Sequence, residues 1–83
     1  MKRIQEARKR KGLTQKELAG RLGLSTGAIQ QYELGTRSPK AVQLGRIADA
    51  LNCSVDWLMG RTDDLGEKSI INDWVMNRFM KAE

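Results

Sequence analysis

The chain has 83 residues, with 15 Lys or Arg, 10 Asp or Glu and no His. That length suits one domain. At 40% hydrophobic and 30% charged it has a globular composition, and no apolar run approaches the roughly 18 residues of a membrane span. With no His and a lone Cys53 there is no His-based triad, no Cys/His zinc cluster and no internal disulfide, so a reducing, cytoplasmic setting is expected.

Residues 1–11 read as a helix, with Ile4, Ala7, Arg8 and Lys11 sharing one face. Only two of these are apolar, so Arg8 needs a partner. The start Met1-Lys2-Arg3-Ile4 has charge but no apolar stretch behind it, which argues against a signal peptide. Gly12 stops the helix. Thr14-Gln15-Lys16-Glu17 is a capping box that starts a second helix. Leu18, Ala19 and Leu22 give its apolar stripe, and Gly23 ends it.

Ser25 is a good cap for a third helix running to Glu33 or Leu34. Ile29 sits mid-helix with Ala28 and Tyr32 beside it, while Thr26, Gly27, Gln30 and Gln31 are polar or bare. The pattern reads as too polar for a core element. Gly35 closes it. Pro39 fits the first turn of a fourth helix at about 40–51, with Val42, Leu44, Ile47, Ala48 and Leu51 inward. After a break at Asn52-Cys53, Ser54 caps a last short helix, Val55 to Met59, ended by Gly60. Trp57 and Met59 are read as core, and Cys53 as a small residue at a helix junction. Residues 61–68 form a polar linker. Residues 69–81 read as another helix, with Ile70, Ile71, Trp74, Val75 and Phe79 on one side.

The charge is uneven. Residues 1–24 carry a net +6, residues 25–48 a net +2 and residues 49–83 a net −3. A basic N-terminal half points to a polyanionic partner, nucleic acid before membrane. Lys2, Arg3, Lys9, Arg10, Lys11 and Arg21 are read mostly as steering charge.

The informative stretch is Gln15 to Leu34, two short helices joined by Gly23-Leu24-Ser25. Ala19 is small where the helices approach, Gly23 sits where the turn wants a positive φ, and Ile29 anchors the second helix. This is the pattern of a helix-turn-helix, whose second helix lies in the major groove.

The matching run is Arg8, Gly12-Leu13-Thr14-Gln15, Glu17-Leu18-Ala19, Gly23, Ser25, Ile29, Tyr32-Glu33, Gly35 and Pro39. Leu44, Ile47-Ala48, Leu51, Val55 and Trp57-Leu58 continue it. Over residues 2–60 the sequence resembles the lambda-repressor-like (Cro/CI-type, XRE-type) helix-turn-helix transcriptional regulators. The resemblance implies five short helices around one core in residues 1–60; with the 61–68 linker and the extra helix within 69–83, which lie outside the match, the expected fold is all-α.

The resemblance also implies roles. Gln15 and Ser25 fall at positions that meet the DNA backbone. Thr26 and Gly27 match the first base-facing positions, with Gln30 and Gln31 one turn later. Glutamine can pair bidentately with adenine, and the threonine methyl can touch a thymine methyl. Gly27 departs from the family pattern, because relatives usually carry a side chain there. Either the backbone approaches DNA closely at Gly27, or specificity shifts to Thr26 and Gln31. Thr36, Arg37 and Ser38 match a loop that runs along the sugar-phosphate backbone, with Lys40 beyond it. The other reading of Arg37 is a solvated loop charge. Arg8 and Glu33 match a structural ion pair, which also meets the need of a charge on an apolar face.

The implied partner is double-stranded DNA, an operator in the form of an inverted repeat bound by a homodimer. The apolar face of Ile70, Ile71, Trp74, Val75 and Phe79 either folds back on its own domain or pairs with a second copy, and pairing is favoured. The implied function is a sequence-specific regulator, a repressor acting by operator occlusion. The alternative is an antitoxin or control-protein module whose C-terminal helix binds a protein partner. No cofactor, metal or enzymatic activity is expected, and Asp63-Asp64 reads as solvated loop charge.

Overall fold

The computed structural model describes residues 1–67; the helix expected at 69–81 and its residues Ile70, Ile71, Trp74, Val75 and Phe79 lie outside the described residues. The described residues form five helices: α1 (Lys2–Arg10), α2 (Gln15–Leu22), α3 (Thr26–Leu34), α4 (Ala41–Leu51) and α5 (Val55–Leu58). The three starts capped by a hydroxyl follow the sequence. Thr14, Ser25 and Ser54 each accept a bond from the backbone N–H three residues on. α1 lacks a side-chain cap but places Arg8, Lys9 and Arg10 in its last turn, where the helix dipole favours positive charge.

One device ends every described helix. After α2, the Leu24 amide donates to the Ala19 carbonyl at 2.9 Å and Gly23 to that of Gly20. That pair of bonds is a Schellman motif, and it needs a left-handed residue at its corner. Gly23 supplies it with φ 68. The same pair closes α4, where Cys53 donates to Ala48 and Asn52 to Asp49. There the corner is Asn52, φ 53, a residue that tolerates this conformation.

Ile4, Leu18, Ile29 and Ile47 are fully buried, one from each of the four long helices. Burying such a side chain stabilises by about 1.5–3 kcal/mol. Ala7, Leu22, Tyr32, Leu51, Trp57 and Leu58 complete the core around them. α3 packs against both α2 and α1, and α4 closes the other side of α2. Cys53 is buried at the α4–α5 junction, and desolvation pushes its thiol above the ordinary cysteine range. It is therefore a small core residue and not a thiolate.

Several sequence expectations are corrected. Val42 is 80% exposed. Leu44, Ile47, Ala48 and Leu51 already define the buried stripe, and Val42 lies two residues before it, about 200° round the helix. α3 is a core element, contrary to its polar sequence. Its Ala28, Ile29, Tyr32 and Glu33 are buried on one face, because Ala28 and Tyr32 flank Ile29 at helical spacing and its polar residues take the other face. Met59 is 47% exposed, since Trp57 and Leu58 already fill the core side of α5. Pro39 lies outside α4, one residue before the cap Lys40.

Residues 61–67 lie against the domain. The Ser54 amide donates to the Leu65 carbonyl at 2.7 Å, and Leu65 packs on the core. Arg3, read as steering charge, is fixed. It donates to the carbonyls of Trp57 at 2.8 Å and Thr62 at 2.6 Å, and to Asp63 at 2.9 Å. Asp64 accepts from the Gly66 amide at 3.1 Å.

Candidate nucleic-acid interface

Two helices joined by a tight turn form the candidate site. α2 begins at a complete capping box: the Glu17 amide donates to Thr14 Oγ1 at 3.0 Å and the Thr14 amide to Glu17 Oε1 at 2.9 Å. The Thr14 amide, most of all, and the Thr14 hydroxyl favour the ionised Glu17 carboxylate and hold its pKa below the ordinary glutamate value. Gln15 is the first residue of α2 and is half-buried. Three residues then carry the chain from the end of α2 to Thr26, the first residue of α3.

Ser25 Oγ accepts from the Ala28 amide at 3.1 Å, which commits its oxygen to the cap. From there Thr26, Gly27, Gln30 and Gln31 are all exposed. The spacings 26/30, 27/30 and 27/31 are helical neighbours, so these four form one continuous outer face. A Cβ built at Gly27 meets nothing nearer than Ser25 Oγ at 4.0 Å, so the glycine is not required by packing within the chain.

The face is held from beneath. Arg8 Nε donates to Glu33 Oε2 at 2.7 Å and its Nη2 to Oε1 at 3.2 Å. Arg8 Nη1 donates to the Leu13 carbonyl at 2.7 Å, so one guanidinium joins α1, the segment before α2, and α3. Gln15 Nε2 also donates to Glu33 Oε1, at 3.1 Å. Nothing in the sequence pattern signals this bond.

The loop after α3 is tied to its last turn. The Gln31 carbonyl accepts from the amides of Gly35, Thr36 and Arg37 and from Thr36 Oγ1. The Arg37 guanidinium lies 5.9 Å from the Tyr32 ring centroid, and Arg37 and Lys40 are both exposed. Lys40 forms the start of α4 with its backbone alone. Sequence reading missed Arg46, whose Nη2 donates to the Leu22 carbonyl at 2.9 Å. That bond braces the end of α2 from α4. Its only sequence signal is an arginine next to the buried Ile47.

Among the described residues, no three His, Cys, Asp or Glu side chains group as a metal ion would need. No described helix is long and apolar enough to cross a membrane.

Two short capped helices, a left-handed turn between them and an exposed polar face on the second define a helix-turn-helix domain. The family model described as "Helix-turn-helix" matches residues 4–58, and the chain belongs to that family. It is 35% identical over 68 residues to the HTH-type transcriptional regulator ImmR of Bacillus subtilis, covering 82% of this chain and 53% of that protein. It is 39% identical over 59 residues to the cryptic phage CTXphi transcriptional repressor RstR of Vibrio cholerae, covering 71% and 53%. The chain thus spans about half the length of these two relatives. Among solved structures, a chain of a SinR protein/SinI protein complex superposes with a TM-score of 0.65. At 23% identity, with 96% of this chain and 78% of that one covered, this likeness is one of fold.

Proposed function

We propose that the chain is a sequence-specific, duplex-DNA-binding transcriptional regulator that represses by occluding its operator. The observation that carries this reading is the outer face of α3. Thr26, Gly27, Gln30 and Gln31 are exposed, while Ala28, Ile29 and Tyr32 fix the other side and the buried Glu33 anchors its edge. A helix held rigidly by one face and polar on the other is what major-groove reading needs. Thr26, Gly27, Gln30 and Gln31 then meet base edges. Gln15, Ser25, Thr36, Arg37 and Lys40 meet phosphates and set the register. The printed names of ImmR, a transcriptional regulator, and RstR, a transcriptional repressor, favour the same reading.

The apolar residues Ile70, Ile71, Trp74, Val75 and Phe79 supply a second-copy contact. A two-fold dimer would place two α3 helices about 34 Å apart on an inverted repeat. In-vitro selection from a random duplex library at near-physiological salt tests the proposal. An enriched inverted repeat is the expected result. Salt-sensitive binding to any duplex without enrichment would reject sequence specificity.

A second reading has some support from the solved neighbour, which was seen in a complex of two proteins. In it, residues 69–81 bind a different protein and DNA binding is secondary. Co-purification of a stoichiometric partner, with no enrichment in the selection, would favour it.

A further inference from the structure

We infer that Glu33 is a positioning residue for DNA binding: its buried carboxylate fixes which end of the Gln15 amide faces the phosphate backbone. The inference deepens the proposed function and rests on that reading.

The Glu33 side chain is 3% exposed and paired with the Arg8 guanidinium. A carboxylate in such a pair only accepts hydrogen bonds. Its Oε1 lies 3.1 Å from the Gln15 side-chain nitrogen. Were the amide turned over, its carbonyl oxygen would face Oε1, acceptor against acceptor. So Nε2 is held on Glu33 by one hydrogen and keeps a second hydrogen for an outside acceptor. A phosphate is acceptor-only and meets the donor it requires.

This geometry joins an α3 residue that touches no DNA to an α2 residue that does. Glu33 lies in the last turn of α3, buried at the edge of the exposed face, three residues after Gln30 and seven after Thr26. Gln15 opens α2. With glutamine at position 33 the partner can donate as well as accept, and both orientations of the Gln15 amide become allowed. One of them turns an oxygen towards the phosphate.

The test is a double-mutant cycle on duplex binding with Gln15→Ala, Glu33→Gln and the pair, at a temperature where circular dichroism shows all four proteins folded. Gln15→Ala should weaken binding by about tenfold, the scale of one charge-assisted hydrogen bond. Glu33→Gln should weaken binding severalfold in the native background and hardly at all in the Gln15→Ala background. Equal losses in both backgrounds would make Glu33 merely structural and overturn the inference. If Gln15→Ala binds as tightly as wild type, the inference falls while the proposed function stands. If the wild-type protein binds no duplex, the proposed function falls with it.

A second measurement needs no variant to fold. In the free wild-type protein, one of the two Gln15 side-chain NH2 protons should exchange with solvent markedly more slowly than those of the exposed Gln30, because Glu33 holds it. Exchange as fast as that of Gln30 for both protons would overturn the inference.

Discussion

Arg3 lies over Trp57, its guanidinium carbon 4.9 Å from the ring centroid, while Nη1 donates to the Trp57 carbonyl at 2.8 Å. The same guanidinium reaches Thr62 and Asp63, so the first turn of α1 is fastened to the chain that follows α5. The partners differ in kind. Asp63 is fully exposed, and a surface pair contributes little. The two carbonyls and the ring face do more. Arg3→Ala should cost about 1–3 kcal/mol, whereas Asp63→Ala should stay within about 0.5 kcal/mol. Thermal melts of both variants decide it; equal effects would show that the ion pair dominates.

Glu33→Ala should destabilise the domain by about 3 kcal/mol or more, because it leaves Arg8 charged and buried without its carboxylate. Replacing both together, as Arg8→Met with Glu33→Leu, should recover most of that loss. Denaturant unfolding measures each, and a Glu33→Ala midpoint within error of wild type would show the pair to be unimportant.

Gly27→Ala separates stability from recognition. The open space around its Cβ position predicts a gain of about 0.5–1 kcal/mol from helix propensity. If the backbone at Gly27 approaches the bases, affinity for the selected operator falls while stability rises. If specificity resides in Thr26 and Gln31, affinity stays within twofold or so, about 0.4 kcal/mol. Unfolding curves and titrations on one preparation read both quantities.

Glu17 gives a pH dependence of defined sign. Its pKa is lower in the folded chain than in an unfolded one, so the folded state holds the proton less tightly. Its contribution is present above the ordinary glutamate value and is lost as pH falls through the lower, folded value. Glu17→Gln should therefore flatten part of the acid limb of the stability profile and leave its neutral-pH shape alone. An NMR titration placing the Glu17 carboxylate at or above an ordinary glutamate would contradict the capping geometry.

The mass of the chain in solution tests the pairing of residues 69–81. The cut belongs after residue 67, because Leu65 still packs on the core. Sedimentation should give a dimer for the full chain and a monomer for residues 1–67. An unchanged mass would reject pairing through this segment.

Much of the fold is legible in the sequence because its signals are local. Thr14 with Glu17, Ser25 and Ser54 mark helix starts through bonds that span three residues, and the stops after α2 and α3 need a residue that only glycine commonly provides. Arg8 announces a partner because a charge on an apolar face must be compensated. What is not legible depends on contacts distant in sequence. Arg3 meets Thr62 across 59 positions and Arg46 meets Leu22 across 24, and no periodicity encodes such bonds. The polarity of α3 misleads for a different reason. Counting apolar residues undervalues a helix whose buried side includes an alanine, a tyrosine and a paired glutamate. The outer face of α3 is visible as a run of polar residues, but the Gln15–Glu33 bond beneath it is not.

Arg8 reaches three parts of the chain with one planar group, and that sets where adjustment can occur on binding. α1, the entry to α2 and α3 are fastened at a common point, so turning α3 alone would break the Arg8–Glu33 pair. On the proposed reading, a mismatch between α3 and a groove would then fall on the duplex more than on the helix. Base steps that kink or narrow easily would be preferred over stiff ones, even at positions that no side chain reaches.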